Sequence, residues 1–218
     1  MRPLIHGLLA ATLLAFGAQA QPTLDADLAD VQASWARANY ETPAGEARIA
    51  AFEALSKRAD ALVKENPGRA EALIWQGIVL STYAGAKGGL GALSLAKQSR
   101  AALEAALKID PNALQGSAYT SLGTLYYKVP GFPLGFGDKK KARQNLEHAL
   151  AINPDGIDPN YFYAEFLFDQ AEYGQALEHL QQALRAPARE GREVADQGRR
   201  KEIQALMAKV QPKVARAG

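Results

Sequence analysis

Histidine and cysteine side chains, which supply most metal ligands and many general bases and nucleophiles, are scarce in this sequence. Beyond residue 20 the chain has two histidines, His148 and His179, and it contains no cysteine. The two histidines are 31 positions apart, which is not the close spacing of a metal-binding pair on one helix. The G-x-S-x-G and H-E-x-x-H motifs are absent. We therefore predict a protein that is not an enzyme and needs no metal or cofactor.

A glycine-rich segment, residues 131–137, leads into Asp138 and the lysines at positions 139–141. Free backbone amides at a helix start can bind an anion, so an anion site is one interpretation. The other is that the glycines occupy turn positions and the lysines lie on a solvated helix face. No G-x-x-x-x-G-K-[ST] nucleotide loop is present, and Asp138 would repel an anion. The sequence favours the second interpretation, with Asp138 capping the helix that begins at Lys139.

The elements that position these residues must be mainly helices. Alanine and leucine, both strong helix formers, occupy 70 of the 218 positions. The hydrophobic content is 48%, the charged content 22% and the net charge +2, which is typical of a globular protein. These values exclude an intrinsically disordered chain, and the lack of cysteine excludes a disulfide-stabilised scaffold.

The first twenty residues have the layout of a secretory signal peptide. Arg2 precedes an apolar run over residues 4–16, and Ala18 and Ala20 are the small residues that a signal peptidase reads. The alternative is a membrane anchor, but 13 residues are fewer than the roughly 20 needed to span a bilayer. We predict cleavage after Ala20 and a periplasmic location. Without cysteine there is no lipoprotein anchor, so no stable membrane attachment is expected.

Segments that end in proline recur along the chain. Residues 64–67, 108–111 and 151–154 each end in Asn-Pro or Asp-Pro, and Pro187 follows a fourth helical segment. Successive prolines are 44, 43 and 33 positions apart. Each of the last three is preceded by a leucine, an alanine three residues later and a leucine after that, which lie on one helix face. The small alanine lets a neighbouring helix approach closely, so the pattern indicates stacked helical repeats.

One unit carries a recognisable motif. Tyr119, Leu122, Gly123 and Tyr126 match the pattern W-x2-L-G-x2-Y, and related residues recur in the units on either side. On these residues the chain resembles a tetratricopeptide repeat protein over positions 68–190. The resemblance implies an all-α fold, a short right-handed α-solenoid of helix–turn–helix repeats with N- and C-terminal capping helices. The predicted organisation is a signal peptide at 1–20, an N-terminal helix pair at 21–67, three repeats with two insertions at 68–190, and a basic C-terminal capping helix at 191–218.

Several helix boundaries follow from capping residues and proline. The N-terminal pair is predicted at residues 24–40 and 44–65, a degenerate first repeat or cap, and Asp158 with Pro159 is predicted to start a later helix. Residues 185–218 contain nine lysines and arginines against four acidic residues. A solvated capping helix explains this charge, and contact with anionic lipid or nucleic acid is the alternative. We favour the first and predict no nucleic-acid partner.

Two insertions lengthen the first two repeats, at residues 83–91 and 129–138. Equivalent loops stack along one edge of a solenoid, so we expect both to form one wall beside the concave groove. The wall residues would be Tyr83, Lys87, Phe132 and Phe136. The two segments, with residues 153–161, also resemble a group of exported bacterial tetratricopeptide proteins similar to the T-component of TRAP-type transporters. That resemblance implies a substrate-binding partner protein and a small ligand in a cleft.

The tetratricopeptide resemblance implies that the first helix of each repeat lines the groove. Eleven of the 17 aromatic residues lie between Tyr119 and Tyr173, and we predict that most of them pack between helices while Tyr127, Tyr161 and Phe168 face the groove. Such side chains can bury the apolar parts of a ligand. The candidate groove residues are Ile74, Ile78, Ser81, Thr120, Thr124, Tyr127, Lys128, Tyr161, Glu165, Phe168 and Asp169.

Two functions fit these features. The first is a periplasmic scaffold that binds a partner protein or peptide in its concave groove. The alternative is an accessory protein of a TRAP-type transporter, which binds a small apolar or organic-acid ligand or docks a substrate-binding protein.

Overall fold

The computed structural model describes residues 24–217, and the predicted signal peptide lies outside them. Within this range the chain forms α-helices joined by short connections. Helix α1 runs directly into a π-helical turn, Arg37–Glu41. The helices are α1 (Leu24–Ala36), α2 (Glu46–Glu65), α3 (Ala70–Lys87), α4 (Gly89–Ile109), α5 (Ala113–Lys128), α6 (Lys139–Ile152), α7 (Ile157–Asp169), α8 (Tyr173–Arg185) and α9 (Glu193–Ala217). None of the described helices combines the length and the apolar character that a membrane span requires.

The helices stack as a solenoid of pairs. Helix α3 packs on α4, α5 on α6, and α7 on α8, and the second helix of each pair also contacts the first helix of the next. The first helices contact one another in the order α1, α3, α5, α7, α9. Each pair thus buries its apolar face against its neighbours, as helical repeats must. The predicted all-α solenoid is confirmed.

Glycine lets the two helices of a pair approach closely. A Cβ atom on Gly77 would lie 2.5 Å from Cγ of Leu103, and one on Gly123 would lie 2.6 Å from Cγ of Leu146. Both leucines are fully buried. The two contacts occupy equivalent positions in successive repeats. The packing therefore reproduces the repeat that the sequence indicates.

The core has two parts, and the second joins the first described helices to α9. The larger cluster follows the repeats from α3 to α9. The smaller one contains Val31, Trp35, Phe52 and Trp75 from the N-terminal half, together with Ala195 of α9. A residue of the last helix is thus part of the N-terminal core.

The first insertion does not form a loop. It lengthens α3 to 18 residues and α4 to 21 residues, and Gly88 alone separates them. Gly88 and Gly89 adopt φ angles of 61° and 59°, which suit glycine and allow the sharp reversal. Tyr83, expected in a loop wall, lies inside α3 and is buried, and Lys87 is the last residue of that helix. The prediction of a first loop was wrong because alanine and leucine on both sides of the glycines extend the helices.

The second insertion, residues 129–138, is a loop anchored at its base. Gly131 and Gly137 form an isolated β-bridge, and the Asp138 amide donates a hydrogen bond to the Tyr126 carbonyl over 2.8 Å. Phe136 packs edge-on against Tyr126, with the Arg100 guanidinium 4.4 Å from its ring centre. The Asp138 side chain accepts hydrogen bonds from the backbone amides of residues 140 and 141. This cap confirms the predicted start of α6.

The far end of the second loop is exposed and apolar. Phe132 is 93% exposed and Leu134 is 74% exposed, and we call these two residues the loop tip. The sequence predicted that Phe132 and Phe136 belong to one wall, and this prediction was wrong. Phe136 turns inward and Phe132 turns to solvent.

Candidate ligand-binding chamber

Helix α9 closes the concave side of the solenoid against the N-terminal helices. The Tyr40 hydroxyl donates a hydrogen bond to Oε2 of Glu202 over 3.2 Å. The Tyr40 ring lies so close to Gly198 that a Cβ atom there would be 2.4 Å from it. Burial raises the pKa of Tyr40, so its hydroxyl stays protonated as a donor. The first helices of the repeats and α9 therefore enclose a space, which we call the chamber.

The chamber consists of two adjoining pockets of 520 and 710 Å³. These volumes lie within the usual range for small-molecule sites, about 300–1,000 Å³. Both pockets are partly open to solvent. Six residues line both of them: Trp35, Ser81, Thr82, Thr124, Phe162 and Arg199.

The smaller pocket, which we call the arginine pocket, is lined by Arg189, Arg192 and Arg199 together with apolar and hydroxyl side chains. Its apolar wall includes Trp35 and Trp75, whose rings meet edge-on at 6.1 Å. Nε1 of Trp35 donates a hydrogen bond to Oγ1 of Thr82 over 3.0 Å, which fixes the indole orientation. The hydroxyl lining comes from Ser81, Thr82, Ser117, Thr120, Ser121 and Thr124.

Two of these arginines belong to an ion-pair network centred on Asp158. The Asp158 carboxylate contacts Nε of Arg199 at 2.8 Å and Nη1 of Arg189 at 2.7 Å. Arg189 also pairs with Asp196 at 2.6 Å, and Arg199 with Glu202 at 2.6 Å. The network connects α7 to α9 and to the segment before it. It therefore holds the last helix over the chamber.

The charges in this network compensate one another. Burial alone would raise the pKa of Asp158, but the charges of Arg199 and Arg189 outweigh burial and hold that pKa below its ordinary value. Burial alone would lower the pKa of Arg199, and Asp158 more than offsets this, so the pKa lies above the ordinary value. Arg199 also lies over the rings of Tyr161 and Phe162, at 4.5 and 4.4 Å from their centres.

The network corrects one prediction about α7. Asp158 is not the capping residue of this helix, because α7 begins at Ile157 with Gly156 at the cap position. The Asp158 carboxylate is directed to the arginines instead. The side-chain amide of Asn160 donates to the carbonyls of Pro154 and Gly156 at the same helix start.

The larger pocket, which we call the loop pocket, lies between the end of α3, the start of α4 and the second loop. Gly85 and Gly89 line it on one side, and Val129, Pro130 and Leu134 on the other. The two insertions are thus neighbours in space, although the first is helical. The loop pocket therefore opens beside the loop tip.

Polar groups from α5 and α7 meet at the other side of the loop pocket. Glu165 accepts a hydrogen bond from Nζ of Lys128 over 2.7 Å and another from the Tyr127 hydroxyl. Burial, and then the charge of Glu165, raise the pKa of Tyr127 and keep its hydroxyl protonated. Glu165 is therefore paired, and it does not give the groove the free acidic floor that the sequence suggested.

The chamber contains seven of the eleven candidate groove residues. Four are elsewhere. Ile74 is fully buried in the core between helices, and Tyr127 packs against Phe166. Phe168 packs against Tyr173, and Asp169 is exposed at the end of α7. The chamber residues are Ile78, Ser81, Thr120, Thr124, Lys128, Tyr161 and Glu165.

Sequence reasoning missed the tryptophans, Phe162 and the three arginines. Trp35 belongs to an apolar stripe that is typical of ordinary core. Arg192 and Arg199 were treated as solvated residues of a capping helix. Arg199 lies in α9 and Arg192 directly before it, and no local sequence signal separates them from the exposed charges of this segment. The basic C-terminal helix is therefore only partly solvated.

The two histidines are not brought together. His148 is exposed and stacks on Tyr119 at 5.2 Å, whereas His179 is half-buried and contacts Oδ1 of Asn160 at 2.8 Å. Burial lowers the pKa of His179, which keeps its ring neutral. Within residues 24–217 there is no cluster of three or more histidine or acidic residues suited to hold a metal ion.

A family model and one solved structure agree with this architecture. Residues 134–210 match the family model of the tetratricopeptide repeat. The crystal structure of a thermophilic TPR protein in Thermus thermophilus is similar with a TM-score of 0.56 and 14% identity, covering 87% of this chain and 99% of that one. The crystal structure of MamA has a TM-score of 0.45 and 18% identity, covering 77% and 91%. No curated protein matches the sequence.

The protein is thus a tetratricopeptide repeat protein in fold. The predicted tetratricopeptide resemblance is confirmed by the family match over residues 134–210 and by the fold. Solenoids of this class are scaffolds for protein–protein interaction. In this chain α9 covers the concave surface.

Proposed function

We propose that this scaffold is an exported periplasmic accessory protein that holds a small organic molecule in its chamber. The single observation that carries the proposal is the closure of the concave side by α9, which produces pockets of small-ligand size. An open groove would suit an extended peptide, whereas a groove that α9 covers and that is only partly open to solvent suits a compact molecule better than a long polypeptide. The loop resemblance to TRAP-transporter T-components supports the same proposal.

The test is native mass spectrometry of protein purified from periplasm. We expect a bound small molecule that is lost on denaturation. Ser81 lines both pockets, so Ser81→Phe should fill the space between them and remove the bound mass. Ser94 is exposed on α4, so Ser94→Phe is the matched control and should retain the ligand. A clean unliganded mass for the unaltered protein would contradict the proposal.

Export is a separate part of the proposal. Processing after Ala20 predicts a periplasmic species whose N-terminus is Gln21, and intact mass measurement of the fractionated protein checks this. A cytoplasmic species that retains residues 1–20 would contradict it.

A second candidate function is the docking of a partner protein, and the exposed loop tip favours it. Phe132 and Leu134 are large apolar side chains in solvent on an anchored loop, which is typical of a protein contact site. We expect in-cell crosslinking to give adducts that disappear in Phe132→Ser/Leu134→Ser. Ile109, 48% exposed at the end of α4, provides the control variant Ile109→Ser. Adducts that persist in the double variant would argue against docking at this loop.

Binding of a peptide inside the groove is a narrower form of the hypothesis that the protein is a scaffold for a partner. With α9 in place, only a short segment or a chain end would fit the chamber. Crosslinks from a photoreactive residue at Ser81 to a partner protein would support this form. Crosslinks from the loop tip alone would support external docking.

A further inference from the structure

Arg192 differs from the other two arginines of the arginine pocket. Its guanidinium lies against the face of Trp75, with Cζ 5.0 Å from the ring centre. Its Nε atom is buried and has no hydrogen-bond partner among the described residues. Within the same part of the chain, no carboxylate lies within 4.0 Å of it, whereas Arg189 and Arg199 each contact two.

The surroundings compensate the Arg192 charge only in part, because Asp158 and Asp196 act on it without direct contact. Burial, and then the like charge of Arg189, lower the pKa of Arg192. The pKa values of Arg189 and Arg199 are raised, because Asp158 and their other acidic partners outweigh the effect of burial. A partly buried cation without a counter-ion is unfavourable in a folded protein. An anionic group bound beside it would remove this cost.

The charged residues of the pocket indicate how many negative charges that anion carries. Asp158, Asp196 and Glu202 balance the three arginines in number, but all three pair with Arg189 or Arg199, so among the described residues Arg192 is the arginine of this pocket without a direct ion pair. The carboxylates of Asp155 and Asp158 line the same pocket and would repel a second negative charge. A planar guanidinium with parallel N–H donors fits a carboxylate in a bidentate arrangement.

The rest of the pocket defines the body of the ligand. The rings of Trp35, Trp75 and Phe162 offer apolar faces, and threonine and serine hydroxyls from α3 and α5 are available for polar substituents. The volume of 520 Å³ accommodates a small molecule rather than a long chain. Residues 114–116 adopt left-handed φ angles of 47°, 55° and 74°, and Leu114 and Gln115 line the pocket in this conformation. Strained backbone of this kind is concentrated at binding sites.

We propose that Arg192 is the anion-binding residue of the arginine pocket and that the pocket takes a small organic acid with a single carboxylate and an apolar body. This inference rests on the proposed function, the binding of a small molecule in the chamber, and names its chemical class. Arg192 acts by direct contact with the ligand. Arg189 and Arg199 hold Asp158 and α9 in position around it.

The protein carries its own reporter for this site. Its two tryptophans, Trp35 and Trp75, both line the arginine pocket, so intrinsic tryptophan fluorescence reports on the chamber alone. We would titrate the full mature chain with phenylacetate, with the uncharged phenylacetamide and with phenyl phosphate, and measure the same affinities by calorimetry. The variants are Arg192→Gln, Arg192→Lys and, as a matched control on the exposed end of α9, Arg216→Gln.

The expected result is a preference for phenylacetate over phenylacetamide of about ten- to a hundredfold, the value of a hydrogen bond to a charged group. Arg192→Gln should reduce this ratio to about one while the amide affinity stays the same, and Arg216→Gln should preserve the preference. Arg192→Lys should keep part of it, because the charge remains without the bidentate fork. Because Arg192 has no direct ion pair among the described residues, Arg192→Gln should have an unchanged or higher melting temperature, whereas a structural role would lower it.

Three other outcomes are possible, and each contradicts a different part of the proposal. Equal binding of acid and amide, or a preference that survives Arg192→Gln, overturns the role of Arg192 but leaves a small-molecule chamber intact. Tighter binding of phenyl phosphate than of phenylacetate overturns the assignment to a single negative charge. Failure of all three probes to bind, together with a clean native mass, overturns the proposed function as well.

Discussion

Tyr40 and Glu202 are 162 positions apart in the sequence, yet the tyrosine hydroxyl donates a hydrogen bond to the glutamate carboxylate over 3.2 Å. Tyr40 belongs to the turn that follows the first described helix, and Glu202 lies in the last. This contact, with Gly198 beneath the Tyr40 ring, converts an open stack of helix pairs into a closed one. The chamber exists because of this closure.

The first prediction tests the closure at Gly198. In Gly198→Ala, the new Cβ atom would overlap the Tyr40 ring, and we expect a loss of about 1–3 kcal/mol in the free energy of unfolding, the usual cost of overpacking. Hydrogen exchange should be faster in α9 and in residues 37–41. Gly174→Ala is the matched control, since open space surrounds that glycine and alanine favours helix. Equal protection of α9 in the variant and the unaltered protein would refute the prediction.

The second prediction concerns Asp158 and pH. Asp158→Asn leaves buried Arg199 without its main counter-ion, and we expect a loss of about 3 kcal/mol at pH 7 by urea unfolding. The pKa of Asp158 is lowered in the folded state, so its stabilisation is complete well above the unfolded value of about 3.9 and is lost as the pH falls below it.

The stability difference between Asp158→Asn and the unaltered protein should therefore shrink from pH 7 towards pH 3. Asp169→Asn, at an exposed position on the same helix, should unfold like the unaltered protein at every pH. A difference that stays constant over this pH range would show that Asp158 acts through packing and not through its charge.

The third prediction uses the equivalence of repeats. Gly77→Ala and Gly123→Ala introduce the same clash, with Leu103 and Leu146 respectively, and each should cost about 1–3 kcal/mol. The size of the two effects should be similar because the contacts are repeat-equivalent. Chemical denaturation of both variants, with Gly174→Ala again as control, provides the comparison. A large effect at one site only would show that the two pairs pack differently.

The fourth prediction concerns the second loop. Phe136 is held by Tyr126 and Arg100, so Phe136→Ala should cost about 1–2 kcal/mol, the value of an aromatic and a cation–π contact. It should also make residues 129–138 sensitive to limited proteolysis. Phe132→Ala is the control because that side chain is 93% exposed, and it should change neither property. Unchanged proteolysis of Phe136→Ala would place the anchor of the loop elsewhere.

The repeat register was predictable from the sequence because it depends on local periodicity. The leucine–alanine–leucine stripes and the glycine at 123 identify helix pairs, and the start of α6 at Asp138 follows from its capping side chain. The first insertion was not predictable in the same way. A run containing Gly88 and Gly89 resembles a loop, but a reversal of one residue between two long helices satisfies the same sequence.

The site was only partly predictable, for a geometrical reason. The predicted groove residues Tyr161 and Glu165 of α7 line the chamber, but the prediction is wrong at Phe168, near the end of the helix, where the ring packs against Tyr173. The contribution of α9 depends on the curvature of the whole stack. No local pattern encodes that curvature, so the arginines remained hidden among the charges of the C-terminal segment.

The return of α9 to the N-terminal helices also restricts how this protein can change in length. An open solenoid tolerates duplication or loss of a repeat, because each unit needs only its two neighbours. Here an added pair would carry Glu202 and Gly198 past Tyr40, and a deleted pair would leave them short of it. The contact of α9 with Tyr40 therefore fixes the number of repeats. We expect sequence variation to be confined to surface loops and pocket side chains.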